Sequence, residues 1–207
     1  MMEPSLDDLI GIDKFIGIIE AKSKKHETNF KPIETLYSED DANELDLQAR
    51  RLERHIKTCM EGGHSGLYEQ RNNIIYALRK RIVAGVNYEQ WENFFNAALS
   101  YDRASNSSML LRWNNVSIHL IKRTIAIYKR GLAEPLEPEH ILWLHGNLAK
   151  SYYHSGKMDM ATSMAQLCLD ESNKSGTPLT DVTPYHEVLG LLSKRTPNGT
   201  KTQALKY

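Results

Sequence analysis

The sequence predicts an all-α protein, built as a bundle or a short array of antiparallel helical hairpins. Apolar residues recur at three- and four-residue spacings, whereas the strict alternation that is typical of strands does not occur. Apolar residues make up 41% of the chain, and this share indicates a folded body rather than a disordered one. The length of 207 residues suits one core, or one core with a smaller helical lobe.

The first predicted helix covers residues 6–25. Ser5 can cap its first turn, and Asp7 and Asp8 lie near the positive end of the helix dipole. The stretch that follows is polar and contains Pro32, which favours a connector. Three regions are expected: an acidic N-terminal helix with its connector (1–40), a helical core domain (41–195) and a flexible tail (196–207).

Seven further helices are predicted in the core, over 42–60, 67–83, 88–103, 107–130, 139–154, 157–171 and 184–194. Gly85 separates the second of these from the third, which Asn87 would cap. Ser107 or Ser108 begins the longest helix. Helices joined by such short links pack as antiparallel neighbours, and this gives the hairpins of the expected fold.

One hairpin in the C-terminal half carries a pattern of small and aromatic residues. Small side chains let two helices approach closely, an aromatic side chain fills the groove between them, and a glycine turns the chain. These roles fall to Ala149, Tyr152, Gly156, Ala161 and Ala165. The pattern resembles the tetratricopeptide repeat over about residues 142–175, within a hairpin expected over 139–173.

A weaker echo of the same pattern covers residues 71–104, with Gly85 in the place of the turn glycine Gly156. The resemblance implies stacked helices with a concave surface that binds peptides or partner proteins and needs no cofactor. The alternative is an ordinary bundle in which one hairpin matches the repeat pattern.

The charges of the formally neutral chain are unevenly distributed. Residues 1–49 contain 12 acidic and 5 basic side chains, residues 50–130 contain 6 and 14, and residues 131–207 contain 8 and 7. The middle segment therefore has a net charge of +8, from 14 minus 6. A basic segment favours polyanions or acidic protein surfaces as partners, or it is neutralised by the acidic segment of the same molecule. Pairing of these segments between two copies would instead give a homo-oligomer.

The long helix from Ser107 is predicted to carry a basic stripe. At 100° per residue its basic side chains fall within about 120° of one another, while Leu110 and Trp113 lie on the opposite face. Such a stripe is either a solvated surface or a contact for phosphates or an acidic partner. The candidate contact residues, which include three from an earlier helix, are Arg79, Lys80, Arg81, Arg112, His119, Lys122, Arg123, Lys129 and Arg130.

Local catalytic and metal-binding motifs are missing from the sequence. No Gly-x-Ser-x-Gly elbow occurs, and the glycine-rich segment 62–66 lacks the Gly-Lys-Ser/Thr ending of a phosphate-binding loop. His140 and His145 are five residues apart and do not share a helix face, as two metal ligands would. We therefore expect no catalytic residues, no metal and no cofactor, and we expect that the protein is not an enzyme.

The sequence also bears on the cellular compartment. The N-terminal residues lack the charged and apolar regions of a secretory signal, and no apolar run is long enough to cross a membrane. Cys59 and Cys168 are far apart, which suits a reducing compartment. A cytoplasmic protein without a membrane partner is expected.

The leading functional hypothesis is a non-enzymatic adaptor that binds a protein partner through its C-terminal helical hairpins. The alternative is a nucleic-acid-binding accessory factor, such as a replication accessory protein, a loader or a transcription regulator of a microbe or mobile element. In that case the basic segment 50–130 would contact the phosphates.

Overall fold

The structure, a computed structural model, confirms the all-α fold. It describes residues 12–25, 39–63, 66–67, 69–133 and 136–179, together with Gly190 and Ser193. Seven α-helices and no strand are found in these residues. The predicted tail over 196–207 lies outside the described residues, as does most of the helix expected over 184–194.

The helices divide between two compact units, one over residues 1–137 and one over 138–207, a division that the sequence analysis did not place. The first unit contains α1 (Ile12–Lys24), α2 (Glu39–Glu61), α3 (Arg71–Gln90), α4 (Phe94–Leu110) and α5 (Asn114–Lys129), and the second contains α6 (Pro138–His154) and α7 (Met158–Ser175). In the first unit α2 packs on α3, α3 on α4 and α4 on α5, while α1 also packs on α3. From α2 to α5, each helix therefore packs against the next one in the chain.

Helix α3 is the centre of the first unit. Its side chains are buried almost without interruption from Ile74 to Tyr88, so it is enclosed on every side. The core contributed by this helix includes Ile75, Leu78 and Ile82. Polar side chains of such a helix generally need partners inside the protein. Asn87 is an exception, since neither its Nδ2 nor its Oδ1 atom has a hydrogen-bond partner among the described residues.

The predicted break at Gly85 does not occur, because α3 runs without interruption through Gly85 and Asn87. The glycine permits a close approach instead: a Cβ at this position would lie 2.6 Å from Cε1 of Tyr101 on α4. The residue that caps α4 is Asn93, whose side chain accepts a hydrogen bond from the backbone N–H of Asn96 over 3.4 Å. Gly85 thus serves helix packing and not helix termination.

The predicted long helix from Ser107 is also two helices. Helix α4 continues through Ser107 and Ser108 to Leu110, and α5 begins after a turn at residues 111–113. Arg112 adopts a positive φ of 57° in this turn. The sequence offers neither glycine nor proline here, which is why the turn escaped prediction.

Three hairpins share the same turn. Each helix ends with one residue of positive φ, which is Glu92 after α3, Arg112 after α4 and Gly156 after α6. The next backbone N–H then donates to the carbonyl oxygen five residues earlier, for example from Lys157 to Tyr152 over 2.9 Å. This bond is typical of the Schellman motif, which satisfies the last carbonyls of a helix.

The shared turn sets the register in which hairpins α3–α4 and α6–α7 correspond. With Glu92 aligned to Gly156, the corresponding pairs are Gly85 and Ala149, Tyr88 and Tyr152, and Ala97 and Ala161. All of these side chains or positions are buried. The echo over 71–104 therefore has its turn at Glu92 and not at Gly85.

The second unit is the α6–α7 hairpin, and the predicted packing residues lie inside it. Ala149, Tyr152, Ala161 and Ala165 are buried, and Gly156 has a φ of 79° at the turn. Leu142, Ala149, Ala165 and Cys168 form a small apolar cluster between the two helices. The small residues are thus used by the contact between α6 and α7.

Candidate functional site

The three basic residues of α3 lie inside the first unit. Arg79 is 1% exposed and donates to both carboxylate oxygens of Glu20 on α1, over 3.0 to 3.2 Å. Lys80 donates to Gln48 on α2 and lies 4.5 Å from the ring centroid of Tyr76. Neither side chain is on the surface that the sequence analysis assigned to it.

Arg81 is fully buried between α2 and α4. Its guanidinium donates to Glu53 over 2.7 and 3.0 Å and to Asp46, which also accepts a hydrogen bond from Ser100. Burial alone would lower the pKa of Arg81, but the carboxylates of Glu53 and Asp46 raise it above its usual value. Arg81 is therefore a charged residue that joins three helices.

A second buried network joins α3, α4 and α5. Arg123 on α5 donates two hydrogen bonds, of 3.0 and 2.8 Å, to Glu89 on α3. The hydroxyl of Tyr101 on α4 donates to the same carboxylate over 2.8 Å. Burial, followed by the charge of Glu89, raises the pKa of Tyr101 well above its usual value. The network keeps the ring of Tyr101 against Gly85.

The remaining candidates are divided between the interior and the surface. His119 is buried, and burial, followed by the charges of Arg123 and Lys122, lowers its pKa to about 4. Lys122 is half-buried, whereas Arg112, Lys129 and Arg130 are exposed. The structure does not bring the nine predicted residues together on one surface.

A groove lies between α2 and α4, above α3, and we call it the α2–α4 groove. Its volume is about 370 Å³. It is lined by Glu53, Ile56, Lys57, Met60, Glu61, Ile74, Arg103, Asn106, Ser107 and Leu110. The lining residues of α2 and of α4 recur at three- and four-residue spacings, so each helix turns one continuous face toward the groove. Its length along α2 is about 12 Å, from the rise of 1.5 Å per residue.

The groove combines an apolar bottom with charges that are mostly compensated. Ile56 and Ile74 are buried, and Leu110 is 48% exposed. Glu53 is held by Arg81, and Lys57 pairs with Glu61 over 3.7 Å. The groove thus combines buried apolar residues with one half-exposed leucine.

Arg103 is the exception to this compensation. Its Nη1 atom is buried and has no hydrogen-bond partner among the described residues. Burial, followed by the charges of Arg81 and Arg50, lowers the pKa of Arg103, although the carboxylates of Asp46 and Glu53 act in the opposite direction. A guanidinium in such surroundings gains from a carboxylate that binds next to it.

Sequence reasoning did not select the groove. Arg103 is the only basic residue of α4, and it precedes Ser107 and Leu110 at spacings of four and seven residues. This pattern on one helix face was the available signal. It was hidden because the sequence analysis divided the chain at Ser107.

The described residues show no arrangement of metal ligands, and the buried thiol of Cys168 is not activated. No group of three or more His, Cys, Asp or Glu side chains converges in them as metal ligands would. Burial, followed by the charge of Glu171, raises the pKa of the Cys168 thiol to about 12. The thiol of Cys168 is therefore protonated at neutral pH and a poor nucleophile.

We compared the chain with models of protein families, with curated proteins and with solved structures, and none of them matches it. Among the described helices, none is both long and apolar enough to cross a lipid bilayer.

Proposed function

We propose that this protein is a non-enzymatic helical adaptor that binds a segment of a partner protein in the α2–α4 groove. The observation that carries the proposal is the groove itself, an open cavity with apolar residues at its bottom and walls made of two helix faces. Grooves between helices receive peptides whose apolar side chains fill the space between them. No cofactor is needed for binding of this kind.

The proposal moves the binding site away from the C-terminal hairpin. The small residues of α6 and α7 are used to pack these two helices together, so they offer little for a partner. In the groove, by contrast, Leu110 remains half exposed and Met60 adds an adaptable side chain. These two residues are suited to contact a partner directly.

The internal ion pairs weaken the nucleic-acid alternative. Arg79, Arg81 and Arg123 are engaged by carboxylates, so they are not available for phosphates. Phosphate binding depends on basic side chains that reach the duplex backbone, and each lost contact reduces both affinity and its salt dependence. The basic composition of residues 50–130 therefore supports internal pairing better than polyanion binding.

A photocrosslinking experiment tests the proposal. A photoreactive phenylalanine analogue replaces Leu110 in the groove or, as a control, Phe95, which is 49% exposed and outside the groove. Irradiation in cells that make the protein is expected to give a discrete, protease-sensitive adduct from position 110 only. Met60→Glu should abolish this adduct, because it places a charge at the groove wall.

Two other results would contradict the proposal. Equal adducts from both positions would mean that the groove is not a preferred site. An adduct that nuclease removes and protease does not would favour the nucleic-acid alternative.

A further inference from the structure

The guanidinium of Arg103, whose Nη1 atom has no hydrogen-bond partner among the described residues, indicates what kind of segment the α2–α4 groove accepts. This inference rests on the proposed function, since it concerns the chemistry of the partner at the same site. The other charged residues that line the groove form ion pairs, Glu53 with the buried Arg81 and Lys57 with Glu61. Arg103 is therefore the charged residue of the groove lining that has no ion pair among the described residues.

We propose that the groove recognises a short peptide segment of a partner protein in which one carboxylate is flanked by aliphatic side chains, with the carboxylate bound by Arg103. The aliphatic side chains would lie on Ile56, Met60 and Leu110. A planar guanidinium can bind a carboxylate through two parallel hydrogen bonds, which fixes its orientation as well as adding affinity.

The size of the groove agrees with a segment of this kind. A length of about 12 Å holds roughly four residues of an extended peptide or two turns of a helix. Ligand pockets in proteins usually begin at about 300 Å³, and the groove is slightly larger at about 370 Å³. One carboxylate with two or three aliphatic neighbours fits such a volume.

The polar groups beside Arg103 support the same orientation. Asn106 and Ser107 lie on the wall of α4, one turn beyond Arg103, and can hydrogen-bond the peptide backbone. Apolar residues occupy the opposite wall, at Ile56 and Met60 of α2. A peptide would therefore turn its carboxylate and backbone toward Arg103, Asn106 and Ser107, and its aliphatic side chains toward Ile56, Met60 and Leu110.

The test is a selection from short linear peptides displayed on phage, run in parallel on the wild-type chain and on the variants Arg103→Met and Leu110→Ser. Met keeps the length and apolar stem of Arg103 without its charge, and Leu110→Ser removes apolar contact at the groove. The wild-type protein is expected to enrich peptides with one Asp or Glu between aliphatic residues. Leu110→Ser should weaken all of them.

Binding of an enriched peptide is then measured for all four combinations of two changes. These changes are Arg103→Met in the protein and the amide analogue of the acidic residue in the peptide. Each single change is expected to reduce affinity at least about tenfold, as loss of a charged hydrogen bond does. The second change should then cost nothing more, because the two groups act as a pair.

Each further outcome has a distinct meaning. Two results would overturn the assignment of the carboxylate but leave the proposed adaptor function standing. One is a set of enriched peptides that bind in the groove without an acidic residue. The other is a loss of affinity in the doubly changed pair that equals the sum of the two single losses. Failure to obtain any peptide that Leu110→Ser weakens would overturn both. A dimer that Leu110→Ser converts to a monomer would place a second copy of the chain in the groove and overturn the peptide assignment.

Discussion

Two arginines of the first unit, Arg81 and Arg103, are expected to affect the free energy of unfolding in opposite directions, because their surroundings differ. Arg81 is surrounded by its carboxylate partners, whereas the Nη1 atom of Arg103 is buried without a partner among the described residues. Breaking a buried ion pair leaves carboxylates uncompensated, but removing an unsatisfied donor relieves the cost of its desolvation. One arginine holds the fold together, and the other weakens it.

This contrast gives a prediction for the two methionine variants. Arg81→Met is expected to lower the free energy of unfolding by about 3 to 5 kcal/mol, since Asp46 and Glu53 lose their partner. Arg103→Met is expected to raise it by about 1 kcal/mol. Urea unfolding followed by circular dichroism at neutral pH measures both values. A clear loss of stability in Arg103→Met would show that Arg103 is a structural residue.

The contact between Gly85 and Tyr101 leads to a second prediction. A Cβ at Gly85 would lie 2.6 Å from the ring, and the ring is held in place by the bond of its hydroxyl to Glu89. Gly85→Ala is therefore expected to lower stability, because overpacking costs about 1 to 3 kcal/mol and outweighs the gain in helix propensity.

Gly17 of α1 provides the matched control for this variant. It is exposed, and nothing lies within 4 Å of the position that its Cβ would take. Gly17→Ala should raise the free energy of unfolding by about 0.5 to 1 kcal/mol. If thermal unfolding shows the same rise for Gly85→Ala, the close approach is not what requires glycine there.

At the scale of helices, the shared turn stores strain in two of its three occurrences. Glu92 and Arg112 each have a φ of 57°, a conformation that is costly for side chains with a Cβ, whereas Gly156 adopts it freely. Glu92→Gly and Arg112→Gly are each expected to raise the free energy of unfolding by about 1 kcal/mol. Gly156→Ala should lower it by a similar amount.

Differential scanning calorimetry can measure this series. Arg54→Gly on the exposed surface of α2 is the control, and it should lose about 1 kcal/mol because glycine is a poor helix former. If Glu92→Gly and Arg112→Gly lose as much as this control, the turn residues are not strained.

The sequence was sufficient to predict helices but not all of their ends. The α6–α7 hairpin was predicted to within a few residues, because its turn has a glycine and its packing residues are small. The turn at Arg112 has no such residue, and tertiary packing fixes it instead. The sequence pattern predicts a helix end at Gly85, because sequence alone cannot distinguish a glycine that ends a helix from one that permits close contact with a neighbouring helix.

The candidate site was less predictable than the fold. The basic stripe was inferred from charge on a single helix face, but burial depends on all the helices that surround it. His119 and Arg123 faced other helices, and Arg81 met carboxylates that are 28 and 35 residues away in the chain. The groove is lined by residues of α2, α3 and α4, and the sequence pattern of a single helix does not contain that information.

For the whole molecule, the uneven distribution of charge has a structural explanation. Glu20 and Asp46 belong to the acidic segment 1–49, and they bind Arg79 and Arg81 of the basic segment. Of the alternatives that the sequence left open, internal neutralisation is therefore the one observed for these residues. The acidic and basic segments of this formally neutral chain are thus joined by ion pairs from α3 to α1 and to α2.

His119 makes the stability of the whole fold depend on pH in mildly acidic solution. Its pKa is about 4 in the folded protein, below the value of about 6.5 for an unfolded chain, so the unfolded state binds more protons between these values. Stability is thus expected to fall as the pH decreases from about 6.5 to about 4, by as much as about 3 kcal/mol from this residue alone. The cations that face the ring, Arg123 and Lys122, act in the same direction as burial.

The contribution of His119 is isolated by comparing pH dependences rather than single stabilities. His119→Gln cannot be protonated, so its free energy of unfolding should change less between about pH 7 and about pH 4.5 than that of the wild-type chain. Asn115→Gln, at an exposed position of α5, should keep the slope of the wild type, because neither side chain binds protons in this range. Guanidinium unfolding at a series of pH values measures all three proteins. If the free energy of unfolding changes with pH to the same extent in the wild type and in His119→Gln, His119 binds protons equally well in the folded and unfolded states. That result would contradict the burial of His119 against the neighbouring helices.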